Sequence, residues 1–198
     1  MGGWGQAATV SIGGPLWHFA LSRAQRSSGH MILGSHALHD TFSVIRWTQA
    51  GISPQTASVL WSLAVAAEVV VFFLLGPRLL DRLGPGRAIA IAAVLAATRW
   101  LVSALTLDLT AIILIQPLHG VTFALLHLAC MRLLAVSVPP QLAATAQALY
   151  GTVGIGATSA VLTVISGWLY GVMGANAFLI MSVLRLASLP VARSLRNL

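Results

Sequence analysis

Apolar residues run through this chain in long stretches, and polar residues punctuate them at regular intervals. A bilayer core takes about 20 apolar residues as a helix. Six stretches qualify: about 30–49, 55–77, 88–107, 110–134, 142–171 and 176–192. The breaks between them carry turn chemistry: "GISP" at 51–54, "LGPGR" at 83–87, "VPP" at 138–140 and "MGAN" at 173–176. The pattern predicts an all-α, polytopic membrane helix bundle of six transmembrane helices over residues 29–198. Residues 1–28 read as a poorly specified leader, opening on the Gly-rich "MGGWGQAATVSIGG". They lack the basic start and unbroken apolar run of a signal peptide.

Composition agrees with a lipid environment. The chain is 58% hydrophobic and 8% charged, whereas soluble domains carry about 25% charged residues. The net charge of +7 comes from Arg alone among the basic residues, against four acids. That balance can signal nucleic acid, but no basic face or nucleic-acid motif accompanies it, so nucleic acid is not expected as a partner. The single cysteine, Cys130, excludes an intrachain disulfide. All-Arg usage hints at a GC-rich bacterial genome, hence an inner-membrane protein.

Arginine placement orients the bundle. Arg23, Arg26, Arg78, Arg82, Arg87, Arg132, Arg193 and Arg196 fall on one side of a six-pass arrangement, and Arg46 falls on the other, with Asp108. The asymmetry predicts that both termini are cytoplasmic.

The loop between the second and third stretches reads G-x4-D-R-x-G, with Gly76, Asp81, Arg82 and Gly84 at the fixed positions. Gly76 lets helices approach, and Asp81 can accept bonds from helix-end N–H groups or an arginine. A charged, solvated turn is the plainer reading of the same residues. The loop resembles the signature of the major facilitator superfamily, one residue off its commonest spacing. Longer runs follow in order: "SHALHDTF", "LWSLAVAAE", "RW" at 99–100, "QPLHGVTFALLHLACMR" and "AQALYGTVGIG". Over about residues 30–190 they resemble the C-terminal half of the phenylpropionate permease-like branch of that superfamily. The chain departs from that branch at His39 and Asp40, where aromatic residues are expected. The resemblance implies one six-helix half of a secondary active transporter, coupled to protons and carrying a small aromatic or other organic carboxylate. No nucleophile–base pair or H-E-x-x-H zinc signature is present, so neither enzymatic activity nor a cofactor is expected.

The polar residues inside the stretches are the candidate pathway for substrate and protons. Gln116, His119, Phe123 and His127 share one helix face, which suits the wall of a polar cavity. His36, Asp40, Ser43 and Trp47 form a second stripe, flanked by His39; His36 and Asp40 stand one turn apart and can pair. Two or three ligands on one helix do not make a metal site, so none is expected. Gln147 and Tyr150 add polar groups to the fifth stretch, whose Gly151, Gly154 and Gly156 read as close helix contacts. Glu68 and Arg99 lie well inside antiparallel stretches at compatible depths, which predicts a charge pair. Arg185 sits mid-stretch with no partner that the sequence names.

Each of these residues also has a packing reading, in which every histidine makes one interhelical hydrogen bond and nothing more. The alternatives to a transporter are therefore a truncated, inactive fragment and a helix-packing scaffold. The polar faces need a partner besides the lipid bilayer, either a second six-helix half or another copy of this chain.

Overall fold

The computed structural model describes the backbone of residues 23–194 and the side chains of 36–190 and 192. The first 22 residues of the expected leader lie outside the described residues, as does Arg196; of Arg23, Arg26 and Arg193 only the backbone is described. Among the described residues every regular element is helical. We label the α-helices α1 (Arg23–Gln49), α2 (Pro54–Val70), α3 (Gly76–Leu105), α4 (Leu109–Ile115), α5 (Leu118–Gly120), α6 (Leu126–Ser137), α7 (Ala143–Leu149), α8 (Thr158–Met173), α9 (Ala177–Ala187) and α10 (Leu189–Ser194). Three stretches of π-helix, Val71–Leu75, Val121–Leu125 and Tyr150–Ala157, join α2 to α3, α5 to α6 and α7 to α8.

Local chemistry explains the starts and stops. Gly51, at φ 84°, ends the turn after α1. Ser53 then caps α2, accepting a bond from the Thr56 N–H at 3.1 Å, with Pro54 in the first turn where its missing donor costs nothing. Asp108 caps α4 through the Ala111 N–H at 2.9 Å.

Three continuous helical stretches are long and apolar enough to cross a membrane: Pro54–Leu105, Leu109–Ser137 and Pro140–Ala187. The first contains a sharp break at Gly84, whose φ of 72° and ψ of 163° belong to glycine-only backbone. The third breaks at Gly174, with φ 55° and ψ −130°. Helix α1 is not among the three. It carries His36, His39, Asp40 and Arg46 and is too polar to qualify by composition.

Helix α3 organises the interior. Ala88, Ala92, Ala93, Ala96 and Ala97 lie buried along one face, so neighbouring backbones approach closely. It packs on α9 on one side and on α6 and Val121–Leu125 on the other. Helix α1 packs on α8 and α9, while α2 packs on α5. The run from α5 to α6 therefore stands between α2 and α3. Gly120 fixes that contact: a Cβ built there would collide with the carbonyl of Ala67 and come within 2.9 Å of the Glu68 nitrogen.

The glycines of the fifth stretch do not make the expected contacts. Among the described residues nothing lies within 4 Å of a Cβ at Gly151, and those at Gly154 and Gly156 would meet only atoms of their own helix, Tyr150 and Gly151. These glycines lie in the π-helical stretch, which packs on α1 without any of the three closing on a described residue of another helix.

Candidate functional site

Arg99 is the centre of the buried polar network, at 1% exposure. Its Nη1 lies 3.1 Å from His119 Nδ1 and donates to Thr122 Oγ1 at 3.0 Å. Its Nη2 lies 3.5 Å from His39 Nε2, and the guanidinium rests over the Trp100 ring at 4.8 Å. A guanidinium only donates, so both imidazoles must present a lone pair to it. Each ring then carries its proton on the other nitrogen. On His119 that is Nε2, 3.6 Å from Glu68 Oε2; on His39 it is Nδ1, 3.3 Å from Asp40 Oδ1. Two arms thus leave one guanidinium, each passing through a neutral imidazole to a carboxylate. The carboxylate ends open outward: the Glu68 side chain is 23% exposed and that of Asp40 49%.

The expected direct pair between Glu68 and Arg99 is replaced by this bridged arrangement. The reason is topological. Helices α2 and α3 are not packed neighbours at this level, because α5 and Val121–Leu125 come between them and insert His119.

Arg185 is a second fully buried guanidinium, and its Nη2 lies 2.8 Å from His36 Nδ1. The His36 ring makes edge contacts with Trp100, His119 and Phe123 at 5.5, 5.5 and 5.7 Å between centroids, which joins the two arginines through one aromatic cluster. Asp40 is directed toward His39 and not to the expected partner one turn back. The buried face of α1 is accordingly His36, His39, Ser43, Arg46 and Trp47, with Asp40 at its exposed edge. Among the described residues neither Arg99 nor Arg185 has a carboxylate at ion-pair distance. Arg99 Nε, and Nε and Nη1 of Arg185, are buried without a hydrogen-bond partner.

The stripe on the fourth stretch is realised as a ladder of rings. Phe123 stacks on His119 at 5.7 Å and on His127 at 6.4 Å, with interplanar angles of 5° and 15°. Tyr150 reaches the far end, its Oη 3.5 Å from His127 Nδ1. Gln116 is fully buried with both amide atoms unpartnered. Gln147 is exposed and stands apart from the cluster.

The loop motif is built around Gly84, which turns the chain, and Asp81, which accepts a bond from Arg132 Nη2 at 3.1 Å. That pair ties the loop to the end of α6. Gly76 packs against Leu128 of α6. Arg82 is exposed.

Sequence reasoning gave no role to Thr122 or Trp61, the latter stacked on His39 at 5.4 Å. It also left Arg185 without His36. A buried arginine without an acid within a turn is itself a signal to search other helices for an imidazole or hydroxyl.

Residues 29–181 match the family described as MFS_1 like family. A curated relative from Escherichia coli (strain K12), described as a "Probable 3-phenylpropionic acid transporter", is 35% identical over 159 residues, which cover 80% of this chain and 41% of the relative. The chain thus spans less than half the length of that relative.

Proposed function

The chain belongs to the MFS_1 like family of major facilitator membrane proteins, and from that premise we propose that it is the C-terminal six-helix half of a proton-coupled symporter for a small aromatic carboxylate. One observation carries the reading: two guanidiniums buried beneath a cluster of aromatic rings, with no carboxylate of the described chain to neutralise either. Such a charge inside a bilayer is costly unless it pairs or meets a ligand. An aryl carboxylate supplies both the missing anion and a ring for the ladder of His119, Phe123 and His127. The name of the relative, a phenylpropionic acid transporter, supports the same substrate class.

Length supports five crossings in the three apolar stretches, and α1, with 27 residues or roughly 40 Å of helix, is long enough to be the sixth. The Pro54–Leu105 stretch has 52 residues, roughly 78 Å of helix at 1.5 Å per residue, against a core of about 30 Å. The break at Gly84 divides it into two crossings, and the break at Gly174 divides Pro140–Ala187 likewise. The arginine asymmetry then supports cytoplasmic termini in a bacterial inner membrane.

The residues suggest how a proton and an anion are coupled. With Glu68 ionised, His119 holds its Nε2–H toward the carboxylate and its Nδ1 toward Arg99. A proton on Glu68 removes the negative charge that strengthens this bond, the hold on the imidazole weakens, and as His119 turns away Arg99 Nη1 becomes free to donate to the substrate carboxylate. One proton and one anion enter together, so the site's net charge is unchanged. The His39–Asp40 arm holds Nη2 in the same manner.

A scaffold reading is favoured by one feature, the closure of Arg99 by His119, Thr122 and His39 within the chain. Binding separates the two. The purified chain in lipid nanodiscs is titrated with 3-phenylpropionate and with its uncharged amide. The carboxylate should bind more tightly, and Arg99→Gln should weaken it by about 10- to 150-fold, the worth of a charge-assisted hydrogen bond. Equal binding of acid and amide, or normal binding by Arg99→Gln, overturns the proposal.

A further inference from the structure

The three π-helical stretches lie on three different helical runs, yet each sends one ring to the same imidazole. Phe72 comes from Val71–Leu75, Phe123 from Val121–Leu125 and Tyr150 from Tyr150–Ala157. Their centroids lie 5.7, 6.4 and 5.6 Å from that of His127. Stretches of this kind recur at functional sites, where the wider turn redirects side chains that a regular helix would aim elsewhere.

The polar groups at the centre of this cage are under-used. Tyr150 Oη and His127 Nδ1 stand 3.5 Å apart, long for a hydrogen bond between them. The buried Cys130 thiol, a weak partner, is the hydroxyl's other polar neighbour. A tyrosine hydroxyl offers one donor and two acceptor positions, and a neutral imidazole one of each, so capacity remains on both. Both residues are half-buried. A hydroxyl and an imidazole that are partly open inside a membrane face a polar or ligand-filled space, because hydrocarbon would leave them unsatisfied.

We propose that His127 and Tyr150 form a subsite for a hydrogen-bonding group, a hydroxyl above all, on the far side of the substrate's aryl ring. This rests on the aryl carboxylate reading above and adds the ring substituent to it. His119, beside Arg99, and His127 are eight residues apart on one face, about 12 Å along the helix axis. A short aryl alkanoate fills that span with a polar contact at each end: the carboxylate toward His119 and Arg99, the ring beside Phe123, and the ring hydroxyl between His127 and Tyr150. The hydroxyl can donate to the imidazole and accept from the phenol. A ring position that carries only hydrogen would leave this capacity of both groups unused, and a site that bonds a substrate hydroxyl discriminates against the analogue lacking it.

The test is a ratio of affinities. Equilibrium dialysis of the full chain in nanodiscs measures 3-phenylpropionate and the same acid carrying a para-hydroxyl on its ring. The hydroxylated acid should bind about tenfold more tightly, and Tyr150→Phe and His127→Phe should each bring the ratio toward one. A ratio of one in the parent chain, or an unchanged ratio in both variants, overturns this subsite while leaving the carboxylate reading in place. A variant that weakens both acids alike counts against it too, since only the ratio reports the ring substituent. Binding of neither acid overturns the carboxylate reading and this one with it.

Discussion

At the scale of single residues, the deciding feature is the imidazole between two charges. His119 meets Arg99 through Nδ1 and Glu68 through Nε2, at 3.1 and 3.6 Å. The acid and the base therefore sense one another through a ring that can turn, where a direct ion pair would lock both. Losing one member of such a set strands the rest in a poorly solvated place. Glu68→Gln and Arg99→Gln should be non-additive in thermal unfolding, with a coupling of about 0.5–3 kcal/mol. In a His119→Phe background the coupling should fall close to zero; a coupling that survives there contradicts the bridge. The in-chain positions of Glu68, Arg99 and the histidines were legible from sequence as polar residues in apolar stretches. Their partners were not. Depth along a helix is read from counting, whereas the choice of neighbouring helix depends on tertiary packing, and the insertion of α5 between α2 and α3 carries no local signal.

At the scale of elements, the fold turns on where backbones touch. Gly120 seats the fourth stretch on α2 beside Ala67 and Glu68, and it is this seat that brings His119 to the carboxylate. Gly120→Ala forces the two helices apart and should destabilise the chain by about 1–3 kcal/mol, the usual cost of overpacking. Gly151→Ala, where no described residue lies within 4 Å, is the matched control and should change stability little. Similar effects at the two positions would contradict the assignment of Gly120 as the seam. Of the glycines the sequence singled out, Gly76 meets Leu128 of α6, whereas those of the fifth stretch meet no described residue of another helix. A run of three in the fifth stretch is conspicuous, but small residues mark a contact only when another helix is opposite them. The π-helical stretches were equally hidden, since a one-residue change of register leaves the apolar pattern almost intact.

At the scale of the molecule, helical class and lipid solvent were plain in the long apolar runs, and the breaks at Gly51, Gly84 and Gly174 fall in the predicted turns. Large apolar side chains such as Phe73, Val164 and Trp168 are mostly exposed, which suits contact with lipid and not with water. Single-cysteine labelling tests the crossings: position 82 should react from the cytoplasmic side and position 108 from the outside. Reaction of both from one side contradicts six crossings. We propose that a second half or a second copy of the chain covers the outward-open carboxylates of Asp40 and Glu68. The central claim remains that this arrangement moves a carboxylate with a proton, and its most direct test is uptake. Proteoliposomes holding the chain, alone and with any six-helix partner that co-purifies, are given labelled 3-phenylpropionate with the interior alkaline or at equal pH. The account predicts accumulation above the external concentration only under the gradient, abolished by Arg99→Gln, with Glu68→Gln retaining exchange but losing accumulation. Retention equal to that of protein-free liposomes, or accumulation indifferent to Glu68 and Arg99, would contradict it.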